Sequence, residues 1–338
     1  MELDIYEDKV RKQKEELQIG KSSPYCDLIY YKSTRDQNLN LAMRVVKPEK
    51  PGYIKATTHG WHMSVSEFVP MDEPAKNNEY LIVEVDMRGR AYSQGKSDCN
   101  GWELYDVIDA VNFAREYYKD YIKNPEVVYF EGGSGGGGNA LSIVGKFPDF
   151  FAAATALSGI SDYELWYRND STGEFRDEMD VWIGCGPDDH PEAYKSRSGI
   201  YLLENLYTPL FIAHGETDIR VPAEQSRNYV RRAAETGKSN LVKYMELEGV
   251  GTRDHYGNAT KEQIQGIYEF SEKNRASNII PVEIPDKGRM IVAGYLFTKK
   301  FSLVLDSIDK VAALEYDVKK NEFKVISRDS CSYMLDTY

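Results

Sequence analysis

The sequence of 338 residues predicts an α/β fold, in which a mostly parallel central sheet is flanked by helices. Three observations support this prediction. Strand-like and helix-like segments alternate from about residue 41 to residue 274. A buried strand, a glycine-rich turn and a helix follow one another over residues 125–147. After Ser277 the pattern changes to short alternating runs split by turns, which predicts a small all-β module at the C-terminal end.

The composition narrows the classes of partner. The net charge is −12, so neither nucleic acid nor an anionic membrane surface is expected to attract the protein. No apolar run approaches the ~18 residues that a membrane span needs. The first 18 residues are charged throughout and lack the apolar centre of a signal peptide. We therefore expect a cytoplasmic protein, or a secreted one if a leader was removed.

The cysteines give no sign of a metal site or a disulfide framework. They are widely scattered, and no two stand at the C-x-x-C spacing of zinc ligands. The four positions are Cys26, Cys99, Cys185 and Cys331. We expect neither a metal nor a cofactor.

The elements before the glycine-rich turn follow from hydrophobic patterning. Apolar and β-branched runs predict strands over residues 27–31, 41–47, 53–58 and 81–85. Between Asn100 and Asp120, apolar residues recur at the 3.6-residue spacing of one helix face. A charged surface helix is predicted over residues 6–18, before Gly20.

Beyond the turn, the alternation continues around one interruption. Strands are predicted over residues 152–157, 209–213 and 242–247. Pro222 marks the start of one helix, and the capping box formed by Thr260 and Gln263 marks another. From about residue 161 to 205 the pattern loosens and aromatic residues alternate with charges, which predicts an insertion of short helices that roofs the site.

The C-terminal module is predicted from five short runs separated by lysine-rich or Asp-Lys-Gly turns. They cover residues 279–284, 289–297, 300–306, 310–317 and 322–327. The chain therefore divides into an α/β domain over 1–277 and a β module over 278–338. Edge strands of so small a sheet need cover, so we expect that a homodimer is one way of supplying it.

The glycine-rich turn contains the motif G-x-S-x-G, centred on Ser134. A short apolar run over residues 127–130 precedes it, and apolar residues at helical spacing follow it. Between a strand and a helix, this motif holds the serine in a sharp turn with its hydroxyl exposed above the sheet. Ser134 is the predicted nucleophile.

The same stretch also fits a dinucleotide-binding fingerprint. Residues 133–138 match G-x-G-x-x-G, and Asp162 follows at a distance close to that of a ribose-binding acid. That fingerprint belongs on the first strand of its domain, whereas here at least three strands precede it. A third interpretation, a glycine-rich turn that only allows close packing, leaves the residues described next unexplained.

A serine nucleophile needs a base and a carboxylate that orients the base, and on this fold they follow in the order serine, acid, histidine. Of five histidines, only His255 lies downstream of both Ser134 and a strand-end acid. Asp218, after the strand at 209–213, is the predicted acid. Glu216 and Asp254 remain alternatives.

A tetrahedral intermediate also needs two N–H donors for its oxyanion. Gly135, directly after the nucleophile, supplies one. The other is expected in the turn after the third strand, where Gly60 allows the backbone to bend inward. Trp61 is the predicted donor, with His62 as the second choice.

A family resemblance rests on five stretches and the late His255: HGW, DMRGRAYSQG, GGSGG, GPDDHPEAYKSRS and TPLFIAHGETDIRVP. In this combination, roughly residues 40–275 resemble the catalytic domain of the prolyl-oligopeptidase family and the related acetyl-xylan-esterase-like hydrolases. The resemblance implies an α/β-hydrolase fold. It also implies that the nucleophile is Ser134, the acid Asp218 and the base His255, with Trp61 and Gly135 as oxyanion donors.

Two departures from the family pattern stand out. The family's histidine usually follows a glycine directly, whereas three residues separate Gly251 from His255. The oligopeptidases also carry a large N-terminal β-propeller, and the 40 or so residues before this core predict none. In the motif around Asp86, the resemblance gives Arg88 a structural role.

The sequence therefore predicts a serine hydrolase that cleaves carboxylic esters of small molecules through an acyl-enzyme. Substrate-pocket residues are predicted at His62, Gly133, Trp166 and Trp182, where aromatic rings could stack on an acylated sugar or an aromatic acid. Two other functions are considered: a peptidase or amidase with the same triad, and a non-catalytic binding protein on this fold.

Overall fold

The computed structural model describes residues 22–36, 39–65, 73, 75, 78–328 and 330–338, so the helix predicted over residues 6–18 lies outside the described part. An eight-stranded sheet in the order β1-β2-β4-β3-β5-β6-β7-β8 forms the centre of the α/β domain. Its strands are β1 (Cys26–Lys32), β2 (Asn40–Val46), β3 (Tyr53–Thr58), β4 (Tyr80–Val85), β5 (Val128–Gly133), β6 (Ala153–Leu157), β7 (Leu210–Asp218) and β8 (Val242–Thr252).

The sheet is parallel from β4 to β8, whereas β1 and β2 form an antiparallel hairpin on the β4 edge. Strands β5 and β6 are buried along most of their length, because helices cover both faces of a parallel sheet. The predicted α/β architecture is confirmed. Since the carboxyl ends of parallel strands meet at one edge, the residues that follow β3, β5, β7 and β8 share that edge.

Helices cover the faces of the sheet or form the insertion predicted over 161–205, which we call the lid. The capping box of Thr260 and Gln263 is present at the start of the last helix, as predicted. No helix in the described ranges combines the length and apolar character that a bilayer crossing requires. The helices are α1 (Glu103–Tyr117), α2 (Gly135–Lys146), α3 (Tyr163–Asn169), α4 (Arg176–Ile183), α5 (Pro191–Arg197), α6 (Glu224–Glu235) and α7 (Lys261–Ala276).

Strands β7 and β8 extend well past their predicted ends. Strand β7 continues to Asp218 and β8 to Thr252, and these two residues are register partners. A register shift between Gly215 and Thr217 marks the irregular part of the pairing. Asp218 is therefore the last residue of a strand, and the predicted turn begins after it.

The C-terminal module is a six-stranded antiparallel sheet in the order β13-β12-β9-β10-β11-β14. Residues 279–284, predicted as a strand, have no regular structure. The predicted strand over 289–297 is split at Gly294, whose φ of +72° favours glycine. The final strand was not predicted. The strands are β9 (Lys287–Ala293), β10 (Tyr295–Phe297), β11 (Phe301–Leu305), β12 (Val311–Asp317), β13 (Glu322–Ile326) and β14 (Tyr333–Thr337).

The module packs against the α/β domain through buried aromatic side chains. Tyr295 stacks on Trp102 with ring centroids 4.7 Å apart, and its hydroxyl donates to the carbonyl of Gly101 at 2.7 Å. Lys146, at the end of α2, is fully buried beneath this contact and donates to the carbonyl of Ala293. The junction therefore contains a buried lysine amine, which lies over the ring of Tyr295.

Candidate active site

Ser134 occupies the sharp turn between β5 and α2. Its backbone has φ 56° and ψ −119°, a conformation that non-glycine residues rarely adopt. The turn is possible because β5 and α2 nearly touch: a Cβ on Gly132 would lie 2.1 Å from the carbonyl oxygen of Gly136. This geometry is the one that the G-x-S-x-G motif predicts.

His255 and Asp218 are brought together at the same edge of the sheet. Nδ1 of His255 donates to Oδ2 of Asp218 at 2.6 Å, and Oδ1 of Asp218 accepts from the backbone N–H groups of Arg220 and Val221, both at 3.0 Å. Burial alone raises the pKa of the Asp218 carboxyl. Hydrogen bonds from His214 and His255 outweigh that effect and lower the pKa to about 2. The carboxylate is therefore ionised and able to hold the imidazole.

The three extra residues before His255 are taken up by the extension of β8 and a tight turn. Backbone φ is positive at both Thr252 (97°) and His255 (60°). The N–H of Gly251 donates to the carbonyl of Gly257 at 2.9 Å, which closes the loop. The carbonyl of His255 packs against Gly215 of β7, where a Cβ would approach it to 2.4 Å. The longer β8 and the tight turn thus accommodate the three residues that separate His255 from Gly251.

The alternative acids lie elsewhere. Glu216 is exposed to solvent and accepts from the backbone N–H of Gly249 at 2.8 Å. Asp254 is exposed to solvent. His214 is buried and bonds Ser226 and the carbonyl of Val221, so its ring has a structural role.

The loop after β3 carries the predicted oxyanion donor. A Cβ on Gly135 would lie 2.7 Å from the backbone nitrogen of Trp61, so these two segments are in direct contact. The Gly135 N–H belongs to the first turn of α2 and has no partner within the helix. His59 fixes the loop: its Nε2 accepts from Met87 N–H at 3.1 Å, and Nδ1 bonds the carbonyl of Gly60 at 2.9 Å. Burial lowers the pKa of His59 to about 4, so this ring is neutral.

Glu178 of the lid, which the sequence did not single out, bonds the oxyanion loop. Its Oε2 accepts from the indole N–H of Trp61 at 2.5 Å and from Nε2 of His62 at 2.7 Å. The side chain is buried, and Phe175 from the same segment stacks on His62 with ring centroids 5.4 Å apart. The second choice of oxyanion donor, His62, therefore has its ring turned to the lid.

A second lid residue reaches the other two loops. Glu174 accepts from Arg220 at 2.8 Å and from Arg253 at 3.0 Å. Arg220 stands two residues after Asp218, and Arg253 two residues before His255. The lid segment around Phe175 thus contacts the oxyanion loop, the acid loop and the histidine loop.

A narrow cavity adjoins Trp61 and Gly135, the two predicted oxyanion donors. It comprises about 310 Å³ of space, part of which is open to solvent, and its close walls suit a short, slender group. Its walls are formed by His59, Gly60, Trp61, Met87, Arg90, Cys99, Glu103, Gly135, Asn139, Tyr163 and Trp182.

Of the four predicted pocket residues, Trp182 lines this cavity. His62 and Gly133 are outside its walls. Trp166 is also outside: it is buried in the lid, with its ring centroid 4.4 Å from that of Phe175, and donates its indole N–H to the carbonyl of Arg220 at 2.8 Å. Within the described ranges, no group of three histidine, cysteine or acidic residues is arranged to hold a metal ion.

Family comparison gives a match that covers most of the α/β domain. The model of the prolyl oligopeptidase family matches residues 61–277. The peptidase YuxL of Bacillus subtilis, itself uncharacterised, is 31% identical over 172 residues, which cover 49% of this chain and 25% of the relative. The esterase LipQ of Mycobacterium tuberculosis is 28% identical over 155 residues, which cover 43% of this chain and 37% of the relative. The chain thus spans well under half the length of these relatives.

Solved structures give the same fold. An acylaminoacyl peptidase of Pyrococcus horikoshii superposes with a TM-score of 0.61 at 19% identity, over 80% of this chain and 44% of that one. A puromycin hydrolase superposes with a TM-score of 0.59 at 16% identity, over 76% of this chain and 40% of that one. These similarities establish the α/β-hydrolase fold.

Proposed function

The chain belongs to the prolyl oligopeptidase family of serine hydrolases, and on this premise we propose that it is a carboxylesterase that works through an acyl-enzyme. The observation that carries the proposal is the 2.6 Å hydrogen bond between Asp218 and His255, on the sheet edge where Ser134 emerges. A serine, a histidine and a buried carboxylate in this order are the parts that nucleophilic acyl transfer requires.

In the proposed mechanism, His255 takes the proton of the Ser134 hydroxyl as the oxygen attacks the ester carbonyl. Asp218 keeps the imidazole oriented and stabilises its cation. The backbone N–H groups of Trp61 and Gly135 hold the oxyanion of the tetrahedral intermediate. His255 then protonates the departing alcohol, and water activated by the same histidine releases the acid and restores Ser134.

Three considerations support esters over peptides. Two esterases of Mycobacterium tuberculosis, LipQ and LipC, are among the relatives. The cavity beside Trp61 is narrow and suits a short acyl group, whereas a peptide substrate needs extended contacts on both sides of the bond. An alcohol is also a better leaving group than an amine, so an ester needs less binding energy to react.

A peptidase or amidase is the second candidate, because the matched family and the relative YuxL both carry peptidase in their descriptions. Matched pairs of substrates distinguish the two. The ethyl ester and the amide of the same N-acetylated amino acid are given to the protein, and initial rates are compared. Faster ester cleavage with no detectable amide cleavage supports the esterase. Cleavage of both with similar kcat/KM supports the peptidase.

Covalent labelling tests the nucleophile without any assumption about the substrate. The protein is treated with a fluorophosphonate, digested, and searched by mass spectrometry for the modified residue. We expect a single adduct on Ser134, and none in Ser134→Ala. An unlabelled Ser134 in the folded protein would overturn the proposed mechanism.

A further inference from the structure

Arg90 places a guanidinium group in the wall of the cavity that also contains Trp61 and Gly135. It lies in the loop after β4, whose carboxyl end faces the same edge of the sheet as Ser134. Its guanidinium carbon stands 4.4 Å from the ring centroid of Trp182 in the lid. The cation is thus held between the core of the domain and the lid, beside the residues of the oxyanion hole.

In the part of the chain that the structure describes, no hydrogen bond or ion pair joins Arg90 to an acceptor. Its Nε is buried, and within the described part of the chain it has no hydrogen-bond partner; no ion pair to Arg90 lies within reach there either. The negative face of an aromatic ring attracts the charge of an arginine. This contact does not supply the oxygen acceptors that the five N–H donors of the guanidinium need. A sheltered cation without a carboxylate partner is costly.

The carboxylates nearest to Arg90 are engaged with other donors. Glu178 accepts from Trp61 and His62. Glu103 accepts from the backbone N–H of Asn100 at 2.6 Å, and burial raises its pKa to about 7, so it is only partly ionised near neutral pH. Asp86 accepts from Ser64 at 2.6 Å and from two backbone N–H groups. The N–H donors of Arg90 therefore remain for a ligand.

We propose that Arg90 makes the site selective for short acyl groups that end in a carboxylate, such as the succinyl group. This inference rests on the proposed esterase function and names its substrate class. The ester carbonyl would sit between Trp61 and Gly135, and the acyl chain would extend into the narrow cavity. Its terminal carboxylate would then accept two parallel N–H bonds from Arg90. This bidentate geometry is the one in which arginine binds carboxylates most strongly.

The test compares two esters of matched shape. Monoethyl succinate carries the terminal carboxylate, and ethyl isocaproate carries an uncharged isopropyl group in its place. Ethanol release gives kcat/KM for both with the same enzyme preparation, so that incomplete folding of a variant cancels in their ratio. The enzymes are the wild type, Arg90→Met, Arg90→Lys and, as a control, Arg168→Met, which removes an exposed lid arginine paired with Glu164 and Asp188.

We expect the wild type to prefer monoethyl succinate, and Arg90→Met to lower the ratio about 10- to 100-fold, the range for a charged hydrogen bond. Arg90→Lys should recover part of the preference, and Arg168→Met should leave the ratio unchanged. Equal ratios in wild type and Arg90→Met, or a wild type that prefers ethyl isocaproate, would overturn the inference while leaving the esterase standing. Turnover of neither ester, with the same result in Ser134→Ala, would overturn both.

Discussion

Oδ2 of Asp218 lies 2.6 Å from Nδ1 of His255, although 37 residues separate them in the chain. The parallel pairing of β7 and β8 accounts for the contact, because Asp218 and Thr252 are register partners and the turn after Thr252 returns His255 to the sheet edge. The carboxylate is buried and remains ionised, since its hydrogen bonds lower its pKa to about 2. The ionised carboxylate therefore holds the imidazole of His255 through Nδ1.

Asp218→Asn tests this pair. An amide leaves the shape intact but cannot stabilise the imidazolium and favours the wrong tautomer, so kcat should fall on the order of 10⁴-fold with little change in KM. The kinetics of ester hydrolysis provide the measurement. The matched control is Glu216→Gln, two residues earlier, whose carboxylate bonds Gly249. An equal loss in the control would show that the effect is not specific to the pair formed by Asp218 and His255.

Glu178→Gln tests the contact between the lid and the oxyanion loop. A glutamine cannot accept from both Trp61 and His62 with the strength of a carboxylate, so the Trp61 N–H should lose its fixed position. Because that donor acts on the transition state, kcat should fall about 10- to 100-fold while KM changes little.

Glu164→Gln is the control for this variant. It makes the same charge change on the lid, where Glu164 pairs with the surface residue Arg168. Its kcat should stay close to that of the wild type. A Glu178→Gln variant that raises KM at constant kcat would contradict the positioning role and indicate direct contact with substrate.

Gly135→Ala tests the contact between α2 and the oxyanion loop. The added Cβ would stand 2.7 Å from the nitrogen of Trp61, so the loop must move and kcat should fall on the order of 10² to 10³-fold. Gly133→Ala is the comparison, because its added Cβ would have no neighbour closer than 3.8 Å. We expect at least a tenfold smaller loss there. Equal losses would show that kcat depends on the shape of the turn around Ser134 rather than on the position of the Trp61 N–H donor.

Lys146→Met tests the buried lysine amine at the junction with the C-terminal module. Burial lowers the pKa of Lys146 to about 7, below that of a lysine in the unfolded chain. Between about pH 7 and pH 9 the unfolded state then binds more protons than the folded state, so this group makes stability rise with pH, by roughly 2 kcal/mol over that interval.

Chemical denaturation of both proteins at the two pH values provides the measurement. The wild type should gain stability relative to Lys146→Met on going to the higher pH. The exposed lysine variant Lys320→Met should follow the wild type. Parallel pH dependence in the wild type and Lys146→Met would show that Lys146 is charged in the folded protein throughout this range.

Local patterns were sufficient for the architecture, for the sharp turn at Ser134 and for the pairing of Asp218 with His255. The strand, turn and helix around Ser134 follow from hydrophobic spacing and glycine content, and the chain order of serine, acid and histidine selected Asp218 and His255. The turn at Ser134 depends on local sequence alone. The choice of Asp218 and His255 depends on the order of the strands, which follows largely from the alternation of strands and helices.

The contacts of the lid could not be predicted in this way. Glu178 meets Trp61 and His62 across more than 100 residues, and an acidic residue on a short helix ordinarily faces solvent. In the sequence, Arg90 is indistinguishable from any other arginine of a loop, and only the fold places it in the same cavity wall as Trp61 and Gly135. The extension of β7 through Asp218 was also missed, since glycine and charged residues favour a turn there.

The most direct test of the proposed triad is hydrolysis of p-nitrophenyl acetate and butyrate by the wild type, Ser134→Ala and His255→Ala near pH 7.5. We expect turnover by the wild type and losses on the order of a thousandfold or more in both variants, because triad members act as a unit. A His255→Ala variant that keeps its activity would contradict the assignment of the base. A folded wild type that cleaves neither ester would contradict the esterase itself.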